Sequence, residues 1–119
     1  MKERKAGLLC LIYCDKFKSI NDTYGHAVGD KVIIAITETL QKLCRDKDVA
    51  FRLGGDEFAI FMPGIMEQKA AEKFFSRLFE NIRQIDIEEM EGKSIEISMG
   101  ACFYEGTEEV SFDELYKNA

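Results

Sequence analysis

Two spacings of apolar residues run along this chain, one of period two and one near 3.6, and together they predict a two-layer fold. Residues 8–14 are an unbroken apolar run, Leu-Leu-Cys-Leu-Ile-Tyr-Cys, which reads as a central strand covered on both faces. Val32, Ile33, Ile36, Leu40 and Leu43 then return at helical spacing and predict a helix over about residues 29–44. Two short apolar runs, residues 49–53 and 58–62, flank Gly54-Gly55-Asp56-Glu57 and read as the arms of a hairpin. After Pro63-Gly64, the stripe Ala71, Phe74, Phe75, Leu78, Phe79, Ile82 and Ile85 marks a second amphipathic helix whose apolar face is core packing. Ile95, Ile97, Met99 and Ala101 alternate with Glu96, Ser98 and Gly100 as a half-buried strand. Ser111-Phe112-Asp113-Glu114 has the form of a capped start to a last helix.

The order β-α-β-β-α-β predicts an α+β domain of the ferredoxin-like arrangement, an antiparallel sheet carrying its helices on one face. With 119 residues and 46% hydrophobic content, the chain supplies one core, so a single domain over 1–119 is expected. A net charge of -6 and a pI near 4.9 oppose a nucleic-acid polymer as partner, because backbone phosphates call for clustered Lys and Arg. No apolar run approaches the roughly 20 residues that span a bilayer. The charged start Met1-Lys2-Glu3-Arg4-Lys5 lacks a following signal-peptide pattern, and the expectation is a soluble, cytoplasmic domain. Cys10, Cys14, Cys44 and Cys102 form neither a CxxC nor a Cys/His cluster and are expected as small buried hydrophobes. His26, between Gly25 and Ala27, is expected as a structural hydrogen-bonding residue in a turn.

The chemistry concentrates in two segments. Arg52-Leu53-Gly54-Gly55-Asp56-Glu57-Phe58 places two glycines and two acids at a hairpin tip, where Gly54 and Gly55 can take positive φ and let a ligand lie against the main chain. Asp56 adds a hard oxygen suited to Mg²⁺. Taken alone, such a turn reads first as an ordinary Gly-Asp hairpin that binds nothing. Upstream, residues 15–30 run Asp-Lys-Phe-Lys-Ser-Ile-Asn-Asp-Thr-Tyr-Gly-His-Ala-Val-Gly-Asp between the first strand and the first helix.

With both segments in view, the chain resembles the GGDEF family of diguanylate cyclases, which join two GTP molecules into cyclic di-GMP. The resemblance spans nearly the whole chain and implies a nucleotidyl-cyclase-like sheet with flanking helices. It also implies a homodimer in which each subunit presents one GTP, with Mg²⁺ or Mn²⁺ as cofactor. Family members usually open with Asp-x-Leu-Thr-Gly-Leu-x-Asn-Arg and close with Ala-Leu-Tyr-x-Ala-Lys. Here only residues 115–119 echo the closing motif, so a domain trimmed at both ends of a longer sensory or regulatory protein is expected.

Residue by residue, the resemblance makes Asp56 a metal ligand and Glu57 its neighbour in metal binding or in activating the attacking hydroxyl. It makes Asn21 and Asp30 the readers of the guanine edge, a role that an amide and a carboxylate suit. Without it, Asn21 is a turn residue and Asp30 a helix-start acid. Lys16 and Phe17 fall in the loop whose backbone N–H groups cradle phosphates, with Lys18 as added charge; for both lysines a solvated surface role stands beside this one. Gly54 and Gly55 line the nucleotide.

One departure stands out. The family commonly carries Asp-x-Asp at the end of the first strand, the first acid being a metal ligand, whereas this chain has Tyr13-Cys14-Asp15. A neutral phenol is a poor Mg²⁺ ligand, which leaves Asp15 and the Cys14 carbonyl as substitutes. Arg45-Asp46-Lys47-Asp48 matches the RxxD pattern of the family's inhibitory site for cyclic di-GMP, with Arg52 nearby; a surface ion pair is the alternative. Two functions follow: a GGDEF diguanylate cyclase weakened at Tyr13, or a degenerate module that binds cyclic di-GMP or GTP without turnover.

Overall fold

The structure, a computed structural model, describes residues 6–105. Its elements are β1 (Gly7–Cys14), α1 (Phe17–Tyr24), α2 (His26–Leu43), β2 (Val49–Arg52), β3 (Glu57–Pro63), α3 (Gln68–Arg83), a 3-10 turn at Glu88–Met90 and β4 (Ile97–Tyr104). The four strands form one antiparallel sheet in the order β2-β3-β1-β4. This is the ferredoxin-like order the sequence predicts, with α1 and α2 together in the place of one helix. The expected helix start at Ser111 and residues 115–119 lie outside the described residues.

β1 is central and its apolar run is buried on both faces. Leu8, Cys10, Ile12 and Cys14 point into the core with Ile36 and Leu40 of α2 and Leu78 and Ile82 of α3. Leu9 and Leu11, on the opposite face, are buried as well. Over that face the Phe61 and Tyr104 rings meet edge-on at 6.2 Å, near Gly7, the β1 residue paired with both Pro63 and Tyr104.

The structure places Cys102 at the surface and Cys44 half-buried, against the expectation of four buried cysteines, and it corrects three expectations about the elements. First, residues 17–24 are helical, so Phe17 opens α1 instead of sitting in a loop, and Lys16 precedes it in a left-handed turn at φ 58°. Only Ile20 of α1 is fully buried, a stripe too short for periodicity to reveal. Second, α2 begins at His26, which places that residue in the first helical turn, and Gly25 at φ 94° provides the break between the two helices. Third, β4 runs from Ile97 to Tyr104 and not from 95 to 101. Its ladder starts where β1 ends, at Cys14 opposite Ile97, and continues until Tyr104 faces Gly7. As an edge strand it leaves Ala101, Cys102 and Phe103 exposed, so the predicted half-buried alternation fades along its length.

Two predictions follow from the packing. Leu78→Ala, at a fully buried position, should cost about 2–5 kcal/mol in urea unfolding through lost transfer energy and the cavity left behind; a cost under about 1 kcal/mol would mean that α3 is only loosely seated. Burial pushes the Cys10 and Cys14 thiols from 9.0 up to about 12. Because their folded values are raised, the stability these neutral thiols contribute is present in full below pH 9 and declines as pH climbs toward 12. Iodoacetamide at pH 8 should accordingly label exposed Cys102 first, half-buried Cys44 more slowly, and Cys10 and Cys14 only on unfolding, as mass spectrometry would read.

Candidate functional site

The hairpin turn and the end of β1 are joined through the backbone. Cys14 N–H donates to the Asp56 carbonyl at 2.9 Å, and Leu53 N–H closes the turn on the Glu57 carbonyl at 2.8 Å. Asp56 therefore lies in the turn, whereas Glu57 is the first residue of β3 and pairs with Tyr13 across the sheet. Tyr13 also pairs with Ser98 of β4. Burial first, then the Glu57 and Asp56 carboxylates, raise the Tyr13 phenol above its ordinary pKa and keep it neutral and protonated.

Asp15, a candidate substitute ligand, is already engaged: the Ser98 hydroxyl donates to its two carboxylate oxygens at 2.7 and 2.9 Å. Ser98 escaped the sequence reading because a lone serine in a strand carries no signal. Among the described residues, no group of three or more His, Cys, Asp or Glu is placed to hold a metal ion. Asp56, Glu57 and the Cys14 carbonyl, beside a neutral phenol, make no preformed divalent-ion centre among the described residues.

Gly54 and Gly55 do not have positive φ; among the described residues the glycines that do are Gly25, Gly64 and Gly92. A Cβ on either would meet nothing within 4 Å. Neither a left-handed backbone nor the packing of the described residues demands glycine there, so the expected positive φ is not the reason for the pair.

α1 and α2 meet at a second glycine. A Cβ built on Gly29 would sit 1.8 Å from Asn21 Oδ1 and 3.5 Å from Phe17 Cε1, so the missing side chain is the seat for Asn21. Asn21 is half-buried there, one helix position from exposed Asp30. The two residues expected to read guanine thus flank one helix junction. Lys16 and Lys18 are exposed beside it. On another side of α1 a cleft of about 420 Å³ opens between Asp15, Lys16, Thr23, Lys93 and Glu96, and neither Asn21 nor Asp30 lines it.

The RxxD residues are spent on each other. Arg45 Nε lies 3.1 and 3.0 Å from the two Asp48 oxygens, its Nη2 donates to Asp48 at 2.7 Å and to the Pro63 carbonyl at 2.9 Å, and its backbone N–H donates to Asp48 at 2.7 Å. The Asp48 side chain is fully enclosed, so it offers no open acceptor to a guanine. The ion-pair alternative describes this geometry. Arg52 is elsewhere: its Nε and Nη2 donate to the carbonyls of Gly54 and Gly55 at 2.8 and 2.7 Å. The structure does not gather Arg45, Asp48 and Arg52 into one site.

Among the described residues no helix is long and apolar enough to cross a membrane. Comparison with known proteins agrees with the fold and the motifs. The family model described as "Diguanylate cyclase, GGDEF domain" matches residues 1–119. The chain is 38% identical over 101 residues to probable diguanylate cyclase DgcC of Escherichia coli (strain K12), covering 85% of this chain and 27% of that protein. It is 38% identical over 112 residues to diguanylate cyclase DgcM of the same organism, covering 92% and 25%. The chain thus spans about a quarter of these relatives. Among solved structures, diguanylate cyclase SiaD of Pseudomonas aeruginosa, in complex with its activator SiaC, superposes with a TM-score of 0.80 at 26% identity, over 97% of this chain and 44% of that one. A strand-end hairpin carrying the Gly-Gly-Asp-Glu-Phe string, set in this sheet order and matched along its whole length, makes the chain a member of the GGDEF family of diguanylate cyclase domains.

Proposed function

We propose that this chain is the catalytic-type module of a diguanylate cyclase, taking GTP as its metal complex and condensing two molecules into cyclic di-GMP across a homodimer. One observation carries the reading: a glycine turn that nothing among the described residues explains, tied by Cys14 to the strand end beside Asp56 and Glu57. Asn21, seated on Gly29, and Asp30 read the guanine edge, while Lys16, Phe17 and Lys18 at the start of α1 face the phosphates. In each half-reaction the 3′-oxygen of one GTP bonds to the α-phosphorus of the other and pyrophosphate leaves. Glu57 takes the hydroxyl proton. The Mg²⁺ or Mn²⁺ belongs to the incoming nucleotide, since the donors here form no resident centre. Product cyclic di-GMP reaches Arg45 only by parting it from Asp48, and attached domains in a longer cytoplasmic protein set the activity.

Tyr13 favours a second reading, in which the domain binds guanine nucleotide and signals without turnover. Where the family's first acid would stand, the chain has a half-buried phenol held neutral by its surroundings.

Incubation with GTP and Mg²⁺ or Mn²⁺, followed by chromatography for cyclic di-GMP, separates the two. Tyr13→Asp should raise product formation about tenfold or more by returning a charged ligand opposite Asp56, and adding Asp56→Ala should abolish the gain. A Tyr13→Asp variant that stays folded, binds Mg²⁺–GTP and makes no more product than wild type would show that the missing carboxylate is not the limit.

In calorimetry, GTP should bind in preference to ATP, and the double variant Asn21→Ala, Asp30→Ala should lose that preference, because a site that pairs with particular groups rejects analogues lacking them. Equal affinity of the wild type for both nucleotides would remove the base pocket. Gly54→Ala and Gly55→Ala should leave unfolding free energy within about 0.5 kcal/mol of wild type while weakening GTP binding; unchanged binding would mean that no ligand lies on the turn.

A further inference from the structure

Arg52 has no obvious structural reason to fold back on its own hairpin. It is exposed, at the last position of β2, yet its guanidinium spans two successive carbonyls, Gly54 at 2.8 Å and Gly55 at 2.7 Å. A trans peptide is planar, with its N–H antiparallel to its C=O. Holding the Gly54 carbonyl toward Arg52 therefore turns the Gly55 N–H away from it. Holding the Gly55 carbonyl does the same to the Asp56 N–H. Among the described residues neither N–H donates to a backbone carbonyl, and the space over both glycines is open. A cation on the carbonyl side also polarises each peptide and strengthens its N–H as a donor.

We propose that Arg52 is a positioning residue that locks the Gly54-Gly55 turn so that the N–H groups of Gly55 and Asp56 form a two-donor cradle for a polyphosphate. This rests on the nucleotide-binding reading above and assigns Arg52 to the turn, away from Arg45 and Asp48. Successive N–H groups converging on one side of a turn are a known anion-binding arrangement. The Glu57 side chain is on the sheet face with Tyr13. Lysine cannot replace this function, because a point charge does not bridge two carbonyls as a planar fork does.

Amide NMR on the full chain tests both halves, using tripolyphosphate without metal as probe. In the free protein, Arg52→Ala should make the Gly55 and Asp56 amides mobile on the nanosecond timescale while the remaining spectrum is unchanged; amides as rigid as in wild type overturn the lock. Added tripolyphosphate should shift these two amides in wild type, with affinity down about tenfold in Arg52→Ala and nearly as far in Arg52→Lys, the value of roughly one well-placed hydrogen bond. Full affinity in Arg52→Lys means that charge alone acts and overturns the positioning role. GTP that shifts Asn21 and Asp30 but leaves Gly55 and Asp56 unmoved overturns the cradle while the base pocket stands. GTP that shifts neither pair overturns the nucleotide reading itself, even where the lock is seen.

Discussion

The backbone hydrogen bond from Cys14 N–H to the Asp56 carbonyl is the joint on which the candidate site depends. β1 is the central strand, and a hairpin tip projecting past the sheet has no reason to lie against the end of its neighbour unless the ladder continues beyond the last paired residues. Tyr13 opposite Glu57 ends the regular pairing, and the Cys14 contact extends it by one step into the turn. That step sets Asp56 beside the residues that follow β1. The start of α1, the turn and the head of β4 through Ser98 are thereby collected at one end of the sheet. Buried strands supply the rigidity, and loops supply the chemistry, the usual division of labour in a sheet-and-helix domain.

Much of this is legible in the chain itself. The uninterrupted run before Asp15 announced a strand with two covered faces, and both faces are covered. The spacing of Val32, Ile36 and Leu40 announced α2, and the glycine pair announced the hairpin. What stayed hidden has identifiable causes. α1 exposes most of its side chains and is two turns long, so its periodicity is lost among Lys, Ser, Asn and Asp. The alternation that marks β4 in sequence stops at Ala101, and residues 102–104 are strand because β1 is long enough to pair with them. Arg45 and Arg52 both invite a ligand when read as isolated cations; only coordinates show that each already has carbonyl or carboxylate partners. Ser98 and Gly29 matter through the neighbours they admit, and a sequence does not name neighbours.

Glycine appears here in two distinct capacities. Gly29 is required by an internal neighbour, since any side chain would displace Asn21. Gly54 and Gly55 have no such neighbour and no left-handed backbone. The first protects a contact already made within the described residues, and the second leaves room for one that is not. Asp15 illustrates the opposite case: a carboxylate at a position that suits a metal but held by a serine hydroxyl, so that recruiting it means breaking two short contacts.

The Arg45–Asp48 pair sets a cost on any ligand that would take its guanidinium. Its acid is wholly enclosed while its base remains partly open to solvent. A ligand that recruits the guanidinium strands a carboxylate with no counterion in a sheltered position, an unfavourable state that lowers the observed affinity by the same free energy. Such a latch shifts binding to higher ligand concentration by a constant factor. Because Arg45 also grips the Pro63 carbonyl at the end of β3, opening would be felt at the strand that begins with Glu57, at the far end from the latch.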